Sequence, residues 1–162
     1  MADPLLTHVT ETFGWELESA LDRIEHCVGQ LTDEQVWSRE RADMNSVGNL
    51  VLHLTGNVKQ MIVSSIGGEP DDRDRPAEFA ARDTIPKAEL LRKLSVVVAR
   101  ARAALAAATA DELLRVRTVN NTELTGLQSI VRSVAHFRGH TQEIIHITRT
   151  LLGDRYRYAG PR

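Results

Sequence analysis

Apolar side chains recur at steps of three and four residues along most of the chain, the spacing of a helix with one buried face. This pattern predicts four long helices, at about residues 4–31, 45–66, 86–109 and 127–152. The alternation of apolar and polar residues that is typical of strands is nearly absent. Four helices of this length, each with an apolar stripe, favour an all-α four-helix bundle.

The residues at the helix ends agree with these limits. Thr32 and Thr125 each stand three residues before a glutamine, which is the spacing of a capping box. The first box predicts a short helical turn that carries Trp37, and the second begins the last helix. The glycines at 67–68 and Gly153 are expected to end the second and the last long helix.

Two connections between the helices are long and polar. Residues 67–84 are highly charged and interrupted by prolines, so we expect a long ordered loop without regular secondary structure between the second and third long helices. Loops of this length tend to be functional or to cover another part of the protein. After the third long helix we expect a short turn at residues 111–114 and an extended link through residues 120–121.

The composition narrows the class of protein. The 162 residues fit one domain that spans residues 1–162. The net charge of −2, with acidic and basic residues mixed along the chain, argues against nucleic acid or an anionic membrane as a partner. Cys27 is the only cysteine, so no disulfide can form within the chain. With no signal-peptide pattern and no long apolar run, we expect a cytoplasmic protein.

Three histidines are the candidate metal ligands. His136 and His140 lie four residues apart in the last helix, so their side chains leave the same face, about 40° apart around the axis. His53 lies on the apolar stripe of the second long helix, where an imidazole is costly to bury unless one of its nitrogens is used. Three imidazoles would bind a transition metal and leave at least one coordination position for water or substrate. The alternative is that these histidines are core residues hydrogen-bonded to carbonyl groups.

Three segments carry a resemblance to a known family. They read Asn45-Ser-Val-Gly-Asn-Leu-Val-Leu-His-Leu-Thr-Gly-Asn, Ile66-Gly-Gly-Glu-Pro-Asp-Asp-Arg-Asp-Arg-Pro-Ala-Glu-Phe and His136-Phe-Arg-Gly-His-Thr-Gln-Glu-Ile. Together they resemble the DinB/YfiT-like superfamily, in the same order and over nearly the whole chain, and within it a subfamily that shares the first two segments.

The resemblance implies a four-helix bundle, a metal held at the positions of His53, His136 and His140, and a homodimer. It implies several reactions rather than one. Some relatives transfer bacillithiol, mycothiol or glutathione to an electrophile, and others open maleylpyruvate or resemble hydrolases.

Glu143 departs from the pattern of the family, in which many relatives have glutamine three residues after the last histidine. It lies within about 20° of His136 around the helix axis and faces the same way. Three roles suit it: a fourth ligand, a hydrogen-bond partner of an imidazole, or a general base. The competing interpretation is a surface glutamate paired with a cation, but positions 139 and 147, one turn away on either side, are glycine and isoleucine.

The loop also holds a dense group of charged residues, for which two interpretations stay open. The group either pairs within itself and caps helix ends, or supplies an arginine to an anionic substrate at the mouth of the bundle. Its members are Asp71, Asp72, Arg73, Asp74, Arg75 and Glu78.

These observations lead to two classes of function. The first is a metal-dependent enzyme for a small-molecule substrate, with zinc, nickel or iron as the expected metal. It would act as a low-molecular-weight-thiol S-transferase or as a metal-hydroxide hydrolase with Glu143 as the catalytic base. The alternative is a non-catalytic, dimeric metal-binding protein with a stress-related interaction role.

Overall fold

Seven α-helices and one β-hairpin form the part of the chain that the computed structural model describes, residues 3–82 and 85–158. Their bounds are α1 Pro4–Gln30, α2 Asp33–Trp37, α3 Val47–Val58, α4 Arg75–Ala80, α5 Lys87–Ala107, α6 Ala110–Leu114, β1 Val116–Val119, β2 Thr122–Thr125 and α7 Gly126–Leu152.

The long helices α1, α3, α5 and α7 pack as an all-α bundle, as the sequence predicts. Helix α1 packs against α5 and α7, and α3 packs against the same two helices. Apolar side chains from all four form one core cluster, in which Phe137, Leu17, Leu54 and Leu94 are fully buried. Burying each such side chain contributes about 1.5–3 kcal/mol, so the apolar stripes stabilise the bundle.

Helix α3 continues as a wider, π-helical segment at Lys59–Ser64, within the range predicted for the second long helix. Wider turns of this kind shift backbone carbonyls out of the regular α-helical pattern. The carbonyl of Met61 accepts a hydrogen bond from Ser129 Oγ of α7 at 2.7 Å. This contact ties the segment to the last helix.

The prediction that residues 67–84 lack regular structure was wrong, because they contain α4. Asp74 caps this helix by accepting a hydrogen bond from the amide of Ala77 at 3.1 Å, and Pro76 stands in its first turn. Proline is favoured in a first turn, where its missing N–H is not needed. From the sequence alone, this proline was interpreted as an interruption.

Asn49 of α3 holds α4 against the bundle. Its fully buried side chain donates hydrogen bonds from Nδ2 to the carbonyls of Glu78 at 2.9 Å and Ala81 at 3.1 Å. Its Oδ1 accepts from Ser46 and Arg39. The position of α4 therefore depends on a buried amide in the bundle rather than on its own short sequence.

The extended link predicted through residues 120–121 is part of a β-hairpin, and the sequence pattern does not predict its strand pairing. Strands β1 and β2 pair antiparallel, with Val119 opposite Thr122. Asn120 and Asn121 between them have φ angles of 48° and 60°. Two left-handed residues in a two-residue loop match the twist of a hairpin, and asparagine tolerates this conformation.

Within the two described ranges, no helix combines the length and the apolar character that crossing a membrane requires.

Candidate metal centre

Helices α3 and α7 bring three imidazoles together where they pack against each other. His53, in the middle of α3, is 4% exposed, and His136 and His140 of α7 are partly buried. Each can offer one ring nitrogen such that the three nitrogens lie within 4.8 Å of one another. The Nε2 atoms of His53 and His136 are 2.8 Å apart. The three histidines are therefore close enough to hold a metal ion.

The donor set suits a transition metal. Ring nitrogens bound at about 2.0–2.1 Å to one tetrahedral ion lie about 3.4 Å from each other, within the spread of the distances observed here. Imidazole favours zinc, copper, iron and nickel over calcium and magnesium. Small movements of the side chains would be enough to place the three nitrogens around one ion.

The electrostatic surroundings keep His136 neutral. The pKa of His136 is lowered to about 4, mainly because the ring is buried. Electrostatic repulsion contributes less, first from His140 and His53 and then from the positive charges of Arg73 and Arg75. At neutral pH the ring is neutral, with a proton on one nitrogen and on the other a lone pair that can bind a cation.

A buried ion pair lies behind His53. Glu78 of α4, 8% exposed, has its Oε2 2.8 Å from His53 Nδ1. Arg73 donates from Nε to Glu78 Oε1 at 2.7 Å, from Nη2 to Oε2 at 2.9 Å, and from Nη1 to Gln60 Oε1 at 3.0 Å. Burial by itself would raise the pKa of Glu78, but the hydrogen bonds from Arg73 and His53 outweigh it and hold that pKa below its ordinary value.

In the sequence, Glu78 is only one of a group of loop charges, and no local pattern connects it with His53. The two residues are 25 positions apart, so no helical spacing relates them. The available signal was the Asp-Asp-Arg-…-Glu-Phe segment shared with the resembled subfamily.

Glu143 is exposed on α7, and its Oε2 lies 2.6 Å from His140 Nδ1. A carboxylate oxygen in this position accepts from a ring N–H, and a proton on Nδ1 leaves His140 Nε2 with its lone pair. Of the three roles considered for Glu143, this contact corresponds to that of a hydrogen-bond partner of an imidazole. Its roles as a ligand or a base stay predictions.

The other acidic side chains of the loop pair mostly outside it, and Glu69 pairs with Arg100 of α5. Asp72 pairs with Lys59, and Asp71 accepts from Gln60 at 2.8 Å. Arg75 is exposed and stacks on Phe79, with its guanidinium carbon 5.1 Å from the ring centre. The self-pairing interpretation thus holds for Arg73 with Glu78 and for the cap at Asp74, but not for Asp71 and Asp72. Arg75 lies near the candidate centre, because the Phe79 ring is 4.7 Å from that of His53.

A model of the family described as "Protein of unknown function (DUF1572)" matches residues 6–160. The chain belongs to the DUF1572 family. This DUF1572 chain is also similar to a solved structure described as "Crystal structure of the conserved protein of locus from Enterococcus faecalis". The TM-score is 0.75 at 19% identity, over 90% of this chain and 98% of that one, so the likeness extends to the fold alone. No curated protein matches the sequence.

Proposed function

We propose that this DUF1572 protein is a metal-dependent enzyme of the DinB/YfiT-like type. His53, His136 and His140 would hold one divalent transition ion, with zinc, nickel or iron as the expected metals. The observation that carries the proposal is the convergence of three imidazole nitrogens within 4.8 Å. Three protein ligands leave a coordination position open, which is typical of catalytic rather than structural zinc sites.

The side chains around the site suit a small-molecule reaction. A bound ion would supply Lewis acidity to a substrate held beside it. His53 closes the buried side, whereas His140 and Glu143, with side chains 24% and 43% exposed, lie on the side open to solvent. Glu143 Oε2 accepts from His140 Nδ1, and within residues 3–82 and 85–158 no hydrogen bond engages the other carboxylate oxygen, which can take a proton from an incoming nucleophile.

Two reaction classes fit this arrangement. In the first, a low-molecular-weight thiol gives its proton to solvent, its sulfur forms a bond to an electrophilic carbon, and the leaving group departs with the bonding electrons. In the second, Glu143 takes a proton from water, the oxygen bonds to the electrophilic atom of the substrate, and the leaving group departs and takes up the proton. Replacing Glu143 with Gln keeps the size of the side chain and removes the basic group, so we expect metal content to persist and hydrolysis to fall.

Metal analysis of protein purified without a histidine tag tests the proposal. We expect about one zinc, nickel or iron per chain in the wild type, lost in His53→Ala and in His140→Ala. His146→Ala is the matched control, because His146 is an exposed histidine of the same helix outside the three-histidine group. Absence of metal from the wild type, even after reloading with each ion, would refute the proposal.

Activity assays then separate an enzyme from a metal-binding protein without catalysis. Turnover of a thiol with an electrophile, or of a hydrolysable substrate, that disappears in His53→Ala supports the enzyme. A large effect of chelator on the melting temperature without turnover over a broad substrate panel supports the non-catalytic alternative. We also propose that the protein is a homodimer in the cytoplasm. Light scattering of the purified protein tests the dimer, because it measures the molar mass in solution.

A further inference from the structure

Glu78 contacts His53 on the ring nitrogen that faces away from the other two histidines. His53 Nε2 lies 2.8 Å from His136 Nε2, towards the candidate centre, and Nδ1 lies 2.8 Å from Glu78 Oε2. Since a neutral imidazole carries one proton on its two nitrogens, the group opposite Nδ1 decides whether Nε2 has a lone pair.

The hydrogen bonds of Arg73 determine what Glu78 can do. A guanidinium only donates, and Arg73 donates to Oε1 at 2.7 Å and to Oε2 at 2.9 Å of the same carboxylate. Both oxygens therefore act as acceptors. Two groups face His53 Nδ1: Glu78 Oε2 at 2.8 Å and Arg73 Nη2 at 3.1 Å. The carboxylate oxygen is the nearer partner and can only accept, so the geometry favours a proton on Nδ1 and a lone pair on Nε2.

We infer that Glu78 is a positioning residue of the metal centre, which fixes the tautomer and the ring orientation of His53 so that Nε2 faces the ion. The inference rests on the proposed function for the ion, whereas the tautomer of His53 is a property of the protein without metal. Carboxylate partners of metal-bound histidines act in this way, and their loss typically weakens metal binding 10- to 100-fold.

The fold provides space for this carboxylate beside His53. Gly56 lies three residues after His53, and a Cβ atom at this position would collide with Glu78 Oε1. The backbone carbonyl of Glu78 accepts a hydrogen bond from buried Asn49 at 2.9 Å. Side chain and backbone of Glu78 are thus both set by α3, the helix that carries His53.

The experiment measures zinc affinity and the His53 tautomer separately. Zinc affinity is obtained by chelator competition for the wild type, Glu78→Ala, Glu78→Gln and Gly56→Ala. The tautomer is read from the ¹⁵N shifts of the imidazole nitrogens in metal-free protein, with His53→Gln to assign the signals. Asp72→Asn is the matched control, since Asp72 is an exposed carboxylate of the same loop that pairs with Lys59.

We expect His53 protonated at Nδ1 in the wild type and a shift towards Nε2 protonation in Glu78→Ala. Zinc binding should weaken 10- to 100-fold in Glu78→Ala and in Gly56→Ala, which displaces Glu78 without removing it. Glu78→Gln should lose less zinc affinity than Glu78→Ala, because the amide oxygen can still accept a hydrogen bond from His53 Nδ1. Asp72→Asn should match the wild type.

The outcomes distinguish the two proposals. A wild-type His53 protonated mainly at Nε2, or unchanged zinc affinity in Glu78→Ala and Gly56→Ala, would overturn the role of Glu78 while the metal site stands. A wild type that binds no zinc or other transition metal would refute the proposed function and, with it, any role of Glu78 at a metal centre. The wild-type spectrum decides the tautomer even where a variant fails to fold.

Discussion

Replacing Arg73 with Met removes the guanidinium and leaves the carboxylate of Glu78 buried. The two side chains are 6% and 9% exposed, and two hydrogen bonds of 2.7 and 2.9 Å join them. Breaking a buried ion pair by removing one partner costs about 3–5 kcal/mol, because the remaining charge loses its compensation without regaining water. We therefore expect Arg73→Met to destabilise the protein.

Two contacts determine where in that range the loss falls. The hydrogen bond from Arg73 to Gln60 at 3.0 Å is lost as well, which adds to the cost. His53 Nδ1 remains as a hydrogen-bond donor to Glu78, and this bond partly stabilises the buried carboxylate and lowers the cost. We expect a loss of about 3 kcal/mol in the free energy of unfolding. For a chain of this length this corresponds to a fall of about 6–12 °C in melting temperature.

Urea denaturation of the metal-free protein, followed by far-UV circular dichroism, measures this loss. The double variant Arg73→Met with Glu78→Gln removes both charges, so it should cost less than the sum of the single variants. Lys59→Met is the matched control, because it breaks the pair with Asp72, whose side chain is 70% exposed. Such a pair contributes at most about 1 kcal/mol.

A loss in Arg73→Met no larger than that in Lys59→Met would refute this reasoning. Strict additivity in the double variant would do the same, since it would mean that Arg73 and Glu78 stabilise the fold independently.

Three further predictions concern metal binding, packing and pH. Adding zinc to metal-free protein should raise the melting temperature of the wild type and leave that of His136→Ala unchanged, as differential scanning fluorimetry would show. Gly48→Ala should lower the free energy of unfolding by about 1–3 kcal/mol, because its Cβ would lie 2.9 Å from the buried ring of Trp37. In the same urea denaturation assay Gly29→Ala should be neutral or stabilising, because its Cβ meets no atom within 4 Å. Burial raises the pKa of the Cys27 thiol, so above about pH 8.5 the unfolded chain loses this proton first and stability falls as pH rises. Urea denaturation at pH 8 and 10 should show that the free energy of unfolding falls less in Cys27→Ala than in the wild type. An equal fall in both proteins would contradict the raised pKa of Cys27.

The long helices could be predicted from the sequence because their signals are local. The apolar spacing of three and four residues lies within each long helix, and the capping box at Thr125 directly precedes α7. The capping box at Thr32 predicts the short helix α2 from equally local contacts. In each capping box the threonine side chain accepts from the third helical amide and the glutamine side chain accepts from the threonine amide. No distant part of the chain is needed for these contacts.

Helix α4 and the hairpin escaped prediction because their stability comes from other parts of the fold. Six residues are too few for an isolated helix in water, and α4 depends on the hydrogen bonds of Asn49, more than 25 positions earlier in the chain. The strands β1 and β2 have four residues each and become recognisable only when paired. Short elements in polar segments carry no periodicity long enough to identify them.

The residues of the candidate site also divide into those that a local pattern predicts and those whose role depends on distant parts of the chain. His136 and His140 could be paired from their spacing, and His53 from its place on an apolar stripe. The carboxylate behind His53 could not be identified, because the loop offers four acidic side chains between residues 71 and 78 and only Glu78 among them is buried. Burial is decided by the space beside His53, which Gly56 leaves open on the same helix. A glycine in a helix costs about 1 kcal/mol of helix propensity relative to alanine. At position 56 the fold uses the missing Cβ to admit Glu78, whereas at Gly29 no atom lies within 4 Å, so a helical glycine alone does not identify the carboxylate.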